Sequence, residues 1–258
     1  MPELPEAETI ARRLHEVLAG QSLRGHGRLG RVWRYGKCVL FDFDSERMIA
    51  RLGMTGSLRL NADPGPYTRL TFHFDRALLL YNDIRKFGRI EWSADLPKLG
   101  PDILTVSPEQ FEHLLVSKPR AIKAVLLDQS FVSGLGNIYV DESLHRAQIH
   151  PTLAATHVNS RRLLESIQEI LQEAILHGGS TISDFEDPFG QPGGFQDYHR
   201  VYAREGMPCT TCGEVILRTV VAQRGTHYCP RCQPQPSPPA APKQPARRLQ
   251  RRPPPSRP

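Results

Sequence analysis

The sequence predicts an α+β protein of more than one domain, in which a helix leads into a strand-rich region, a helical region follows, and a small cysteine-held module closes the fold. Three observations carry this reading. Short strand-like runs fill residues 22 to 93, helical periodicity takes over near residue 108, and four of the five cysteines fall in two tight pairs. With 258 residues and 39% hydrophobic content the chain can build sizeable cores. No apolar run approaches the ~20 residues of a membrane span, so no membrane partner is expected. The start, MPELPEAETIARRLHEV, has acids and prolines where an export signal needs a basic patch and an apolar stretch, so a cytoplasmic protein is expected.

Residues 5 to 19 read as an amphipathic helix, with Ile10, Leu14, Val17 and Leu18 on one face and Gly20 as its stop. The strand candidates are VWRYGKCVLFDF, RMIARLGM, SLRL, TRLTFHF, ALLLYN and GRIEW, which suit an antiparallel sandwich or barrel. Helices are expected at 108–117, 119–128, 137–146 and 158–177. The segment GGSTISDFEDPFGQPGGFQDYHRVY is too irregular for a core element and long enough to be a functional loop. Cys209-x2-Cys212 and Cys229-x2-Cys232 are separated by sixteen residues with strand-like content, the spacing of a zinc ribbon or finger. Four thiolates leave no open coordination position, so one structural Zn2+ is expected. Cys38 lies in an apolar run and reads as packing.

Charge is unevenly placed. Of 33 Lys and Arg, six lie beyond Gln233 with no acid among them, so residues 1 to 232 carry 27 charges of each sign. Nucleic-acid binding by the folded part must therefore rest on local clusters of cations. Ten of the 23 prolines also fall in the last 25 residues, which predicts a disordered tail over 233–258.

Three constellations carry candidate chemistry. Removal of Met1 would expose Pro2, a secondary amine partly neutral near pH 7 that can attack an aldehyde-like carbon and form a cationic iminium. Glu3 and Glu6 supply carboxyls within one turn, although the same residues also suit an ordinary acidic helix start. In AVLLDQSFVSGLGNIYVDESLHRA, Gly134 and Gly136 permit a close backbone approach. Asn137 then opens a helix whose amides can attract phosphate, with Lys118, Arg120 and Lys123 upstream to extend the contact. An ordinary helix hairpin with a glycine turn would read the same way. In LGMTGSLRL and NDIRKFGRIEW, Met54, Arg85 and Phe87 are a wedge, a fork-shaped donor and an aromatic plate, groups that could fill a gap in a base stack. Taken alone, Met54 and Phe87 are better read as core.

PELPE, LGMTGS, D-x-R-K-F-G, VSGLGNIYVDESL and a four-cysteine finger containing AQRGTHYC, in this order over residues 2 to 232, resemble the formamidopyrimidine-DNA glycosylases. PELPE is closer to this branch than the PEGPE of the endonuclease VIII branch. The resemblance implies a catalytic N-terminal β-sandwich domain over 2–98 and a helix-two-turns-helix domain with a lesion-capping loop over 99–200. A zinc finger over 201–232 would complete the fold. It implies a monomeric glycosylase and abasic-site lyase of base excision repair, acting at the nucleoid on double-stranded DNA with oxidised purines or abasic sites.

By motif matching, Pro2 would attack C1′ and displace the base, Glu3 would transfer protons, and Lys37 and Arg224 would grip phosphate and assist elimination. Asn137 and Lys123 would hold flanking phosphates. Met54, Arg85 and Phe87 would fill the void with Lys86 beside them, and the loop over 178–200 would cover the extruded purine. The chain departs from the family pattern in a short segment between Ser22 and Lys37, which implies a reduced sandwich, and in Arg51, Ile84 and Lys86. Two other functions remain open at this stage. One is an endonuclease VIII-like glycosylase for oxidised pyrimidines; the other is a non-catalytic, zinc-dependent binder of damaged DNA.

Overall fold

The computed structural model describes residues 2–236, so the tail beyond that point, with its cations, lies outside the described residues. Helix α1 spans Leu4–Leu18 and starts with a capping box, in which the Glu3 side chain takes the amide of Glu6 and the Glu6 carboxylate takes the amide of Glu3 at 2.7 Å. Pro5 sits in the first turn, where a missing N–H costs nothing. Ala7, Ile10, Ala11, Leu14 and Leu18 are buried in the sandwich core. Leu4, one turn earlier, packs into the core of the helical domain instead. The chain's first residues therefore lie at the seam between two cores, and that seam positions the site.

The sandwich has two antiparallel sheets. β1 (Ser22–Leu23), β2 (Gly27–Tyr35), β3 (Cys38–Phe43), β4 (Arg47–Arg51) and β8 (Arg89–Ser93) form one in that order, and β5 (Gly56–Leu60), β7 (Leu78–Asp83) and β6 (Thr68–His73) the other. The two-residue period sends Val39, Phe41 and Phe43 of β3 into the core between the sheets, while Cys38 and Leu40 pack on the outer face with Ile49. Cys38 is buried, as a packing role requires. The short segment noted in the sequence contains the two-residue edge strand β1 and the nine-residue β2, and both sheets still enclose one core.

The helical domain contains α2 (Pro108–Val116), α3 (Ile122–Leu126), α4 (Asn137–Ala147) and α5 (Ser160–Leu176). Ser107 caps α2 by accepting the Gln110 amide, and Asn159 caps α5 by accepting the Arg162 amide. The helix expected over 119–128 shrinks to five residues because Ala121, at its N-terminal cap, keeps an extended ψ of 135°. Phe111, Val125, Leu126, Tyr139, Leu163 and Ile167 form the core of this domain.

In the C-terminal module β9 (Leu217–Val221) and β10 (Arg224–Tyr228) form a hairpin closed by Ala222 and Gln223, with φ of 52° and 58°. Two left-handed residues in a two-residue loop match the right-handed twist of the strands, a conformation Asn and Gly adopt more easily. Arg224 is the first residue after this turn. Among the described residues no helix is long and apolar enough to cross a membrane.

Candidate active site and nucleic-acid interface

Pro2 separates two cavities. One, of about 240 Å³, is lined by Met54, Asp63, Tyr67, Ile84 and residues 183–186 of the long loop; the other, of about 200 Å³, by Lys37, Cys38, Arg51, Leu99 and Gln129. Glu3 is buried beside Pro2, and its carboxylate accepts the amides of Ile138 at 3.1 Å and Tyr139 at 3.4 Å, at the start of α4. The helix dipole and these amides favour the charged form. Burial nevertheless raises the Glu3 pKa, opposed by nearby Lys37 and the three amides of 136, 138 and 139.

The glycine turn is built for this contact. The Gly134 carbonyl accepts the Leu4 amide at 3.1 Å, and Gly134 has a φ of 112°, where a Cβ would lie 2.4 Å from Leu4 Cδ1. Here the closely approaching group is the chain's own N-terminal segment.

Glu6 sits behind Glu3. It accepts the Ser180 amide at 2.6 Å and the Tyr139 hydroxyl, and Ser180 Oγ is 3.0 Å from His199 Nε2. Burial and the neighbouring Glu3 push the Glu6 pKa up to about 7. Two buried carboxyls in one turn cannot both ionise cheaply, so a proton is held here near neutrality. Burial also lowers His199 to about 4, so its imidazole is neutral. Through Ser180, the irregular loop is tied to the carboxyl that holds the Glu3 amide.

Lys37 occupies the two-residue turn between β2 and β3, after Gly36 with a φ of 57°. The Gly36 amide donates to Asp102 at 3.0 Å, and Asp102 is paired with Arg34, which pins the turn against the helical domain. Burial lowers the Lys37 pKa against the pull of Glu3 and Glu6, with Arg224 adding to the lowering. Lys37 can thus lose a proton more readily than an ordinary lysine.

Asn137 donates to the Gly225 carbonyl at 2.9 Å, which fixes the hairpin that carries exposed Arg224. The Asn137 amide oxygen is buried without a partner. Lys123, expected to hold phosphate, is fully buried, with Nζ 2.6 Å from Asp141 and 3.1 Å from the Gly225 carbonyl, contacts that tie α4 to the hairpin. Arg120 pairs with Asp128 at 3.0 Å, and neither it nor Lys118 lines the cavities at Pro2.

Met54, Arg85 and Phe87 come together on the surface and not in a core. Met54 is 44% and Phe87 59% exposed. The Arg85 guanidinium lies 4.5 Å from the Phe87 ring centroid, with Nη1 3.5 Å from Met54 Sδ. Lys86 is exposed beside them with a φ of 57°. Buried Asp83 shapes both turns by accepting the Thr55 hydroxyl at 2.7 Å, the Gly88 amide at 2.8 Å and the Arg85 amide at 3.2 Å.

Asp83, Asp141 and Glu142 were not singled out in the sequence. Glu142 is buried and accepts the amides of Arg200, Val201 and Tyr202. The adjacent acids of VDES, inside an otherwise apolar helix stretch, were the available signal.

The four cysteine sulfurs lie within 4.8 Å of one another, with Cys209 to Cys232 at 3.9 Å and Cys212 to Cys229 at 3.4 Å. Tetrahedral zinc with bonds of about 2.3 Å needs sulfurs about 3.8 Å apart. The donor set therefore fits one structural zinc.

Comparisons agree along the chain. Residues 21–90 match the formamidopyrimidine-DNA glycosylase N-terminal domain, residues 99–186 its H2TH domain, and residues 206–235 the zinc finger found in FPG and IleRS. The chain is 41% identical over 262 residues to a formamidopyrimidine-DNA glycosylase from Solibacter usitatus, covering 90% of this chain and 99% of that protein. It is 42% identical over 266 residues to the one from Thermus thermophilus, covering 90% and 98%. Its fold is similar to the crystal structure of MutM (Fpg) from Thermus thermophilus, with a TM-score of 0.83, 39% identity and coverage of 92% of this chain and 100% of that one. It is also similar to Lactococcus lactis Fpg in complex with DNA containing an abasic site, with a TM-score of 0.82, 35% identity and coverage of 90% and 100%.

Proposed function

The chain belongs to the formamidopyrimidine-DNA glycosylase family, and from this premise we propose that it excises oxidised purines from double-stranded DNA and cleaves the strand at the resulting abasic site. It is a base-excision-repair glycosylase carrying one structural zinc. The observation that carries the fuller reading is the meeting of Pro2, Glu3 and Lys37 at the seam between the two cores: Pro2 and Lys37 line one cavity, the Glu3 carboxylate is held by the α4 amides, and the Lys37 turn is pinned by the Gly36 bond to Asp102.

The Pro2 nitrogen attacks C1′, the C1′–N bond breaks, and the base leaves with a proton. The C1′–O4′ bond then opens as O4′ takes up a proton, and the resulting iminium draws electrons from the sugar. Glu3, raised by burial yet held by amides, exchanges protons with the opening sugar. Lys37, with its lowered pKa, stands beside Pro2 to accept a proton. Loss of a C2′ proton then expels the 3′ phosphate oxygen, and a second elimination expels the 5′ phosphate.

Arg224 and Asn137 hold the backbone phosphates at the lesion, and Lys118 and Arg120 contribute at the flank. Met54, Arg85 and Phe87 enter the duplex where the base leaves, with Lys86 at their edge. The 240 Å³ cavity under residues 183–186 receives the base. The protein works as a monomer in the cytoplasm, where the DNA is.

Borohydride reduction during turnover tests this reading. A covalent adduct on an 8-oxoguanine duplex, with markedly less on a thymine-glycol duplex, is expected. Preference for thymine glycol would move the substrate class to oxidised pyrimidines, and absence of any adduct would leave only binding.

A further inference from the structure

Helix α4 docks the zinc finger along one stripe. Asn137 donates to the Gly225 carbonyl, Asp141 accepts the His227 amide at 2.9 Å, and the Ile149 carbonyl just past the helix accepts from the Gln233 side chain at 2.9 Å. Residues four apart on a helix share a face, and the position between Asp141 and Ile149 on this stripe is His145. It is 3% exposed, and its Nε2 lies 3.5 Å from Cys209 Sγ. Its other ring nitrogen, Nδ1, is buried with no partner.

We propose that His145, on a helix of the preceding domain, is an outer-sphere partner of the zinc site, donating Nε2–H to the Cys209 thiolate. The chemistry of the two groups selects this arrangement. A metal-bound thiolate can only accept, and a neutral imidazole has one N–H, so the proton sits on Nε2 and Nδ1 is left as the unpaired acceptor. A hydrogen bond to sulfur spreads the thiolate charge and fixes the direction of its lone pairs, as outer partners do at other metal sites. The remaining thiolate contacts described for the finger are local ones, from the amide of Thr211 to Cys209 and of Cys232 to Cys229, each at 3.4 Å.

Among the described residues, His145 is the one partner from outside the finger that hydrogen-bonds a cysteine ligand. Metal retention is therefore coupled to α4, whose first residue, Asn137, holds the turn beside Arg224. His145 is a positioning residue: it acts through Cys209.

The proposal rests on zinc occupying the four cysteines, so the test begins with zinc content. Full-length zinc-loaded protein is challenged with the chelating dye 4-(2-pyridylazo)resorcinol, comparing wild type with His145→Phe and His145→Gln. One zinc per chain is expected in wild type. His145→Phe should weaken zinc affinity about 10-fold or more, the usual size of such an effect. His145→Gln, which keeps a donor at a similar reach, should recover most of it. In cobalt-substituted protein the sulfur-to-metal charge-transfer band should shift in the Phe variant and not in the Gln variant, a change that packing alone would not produce.

If the Phe variant does not fold, cadmium-113-loaded wild type decides, because a through-bond coupling between the metal and the His145 Nε2 proton is expected. Absence of zinc from wild type would overturn the zinc reading and this proposal together. One zinc per chain with equal affinity in both variants, or a His145 ring protonated on Nδ1, would overturn this proposal alone.

Discussion

Glu3 fills the space that a side chain at Gly136 would need: a Cβ there would lie 2.2 Å from Glu3 Cδ. Gly136 has a φ of −128°, which any residue adopts, so the glycine is required by the close approach and not by backbone strain. Gly136→Ala should push the carboxylate off the α4 amides. A displacement of about 1 Å can cost about 100-fold in rate, and a loss of at least that order is expected in single-turnover excision, with zinc content unchanged. A wild-type rate in this variant would mean that the Glu3 position is not critical.

Glu6 predicts a pH dependence of stability. Its pKa is raised from the usual 4.5 to about 7, so between those values the native state binds more protons than the unfolded chain. The stabilisation from this proton is complete below about 4.5 and is lost as pH rises to about 7, at up to about 1.4 kcal/mol per pH unit. Urea unfolding across this range should show the slope, and Glu6→Gln should reduce it, since the raised pKa of Glu3 adds to it. An unchanged slope in the variant would assign the proton elsewhere.

Lys123 separates a structural cation from a phosphate ligand. Removing one partner of a buried pair costs about 3 to 5 kcal/mol, so Lys123→Ala should lower unfolding stability by about that amount by stranding Asp141. Lys123→Ala with Asp141→Asn should recover part of the loss. A single variant of normal stability that binds DNA weakly would restore the phosphate role.

The Met54, Arg85 and Phe87 cluster should matter for duplex substrates. Alanine at each position should slow excision from an 8-oxoguanine duplex and have little effect on a single-stranded lesion, because unstacking a base costs a few kcal/mol only in the duplex. Equal losses on both substrates would indicate that the cluster serves the fold.

Much of the architecture was legible because it depends on local periodicity. The apolar run of β3 marked a strand, the cysteine spacing marked the finger, and the apolar face of α1 marked its buried side. What stayed hidden depends on contacts between distant residues. Lys123 looked like a phosphate ligand because it precedes a glycine turn, and only the fold brings Asp141 and Gly225 to it. Met54 and Phe87 have core-like side chains, and their exposure follows from two turns organised by Asp83. Glu3 was legible as an acid near a helix start, but its bonds to Ile138 and Tyr139 cross from one core to the other.

The central claim is that the Pro2 nitrogen forms the bond to the sugar. The most direct measurement is the site of attachment: the borohydride-reduced adduct with an 8-oxoguanine duplex is digested with protease and nuclease, and the modified peptide is sequenced by mass spectrometry. The sugar remnant is expected on Pro2 of the N-terminal peptide, and adduct formation should persist in Lys37→Ala while falling sharply in Pro2→Gly. A remnant on Lys37, with trapping at the normal rate in Pro2→Gly, would contradict the assignment.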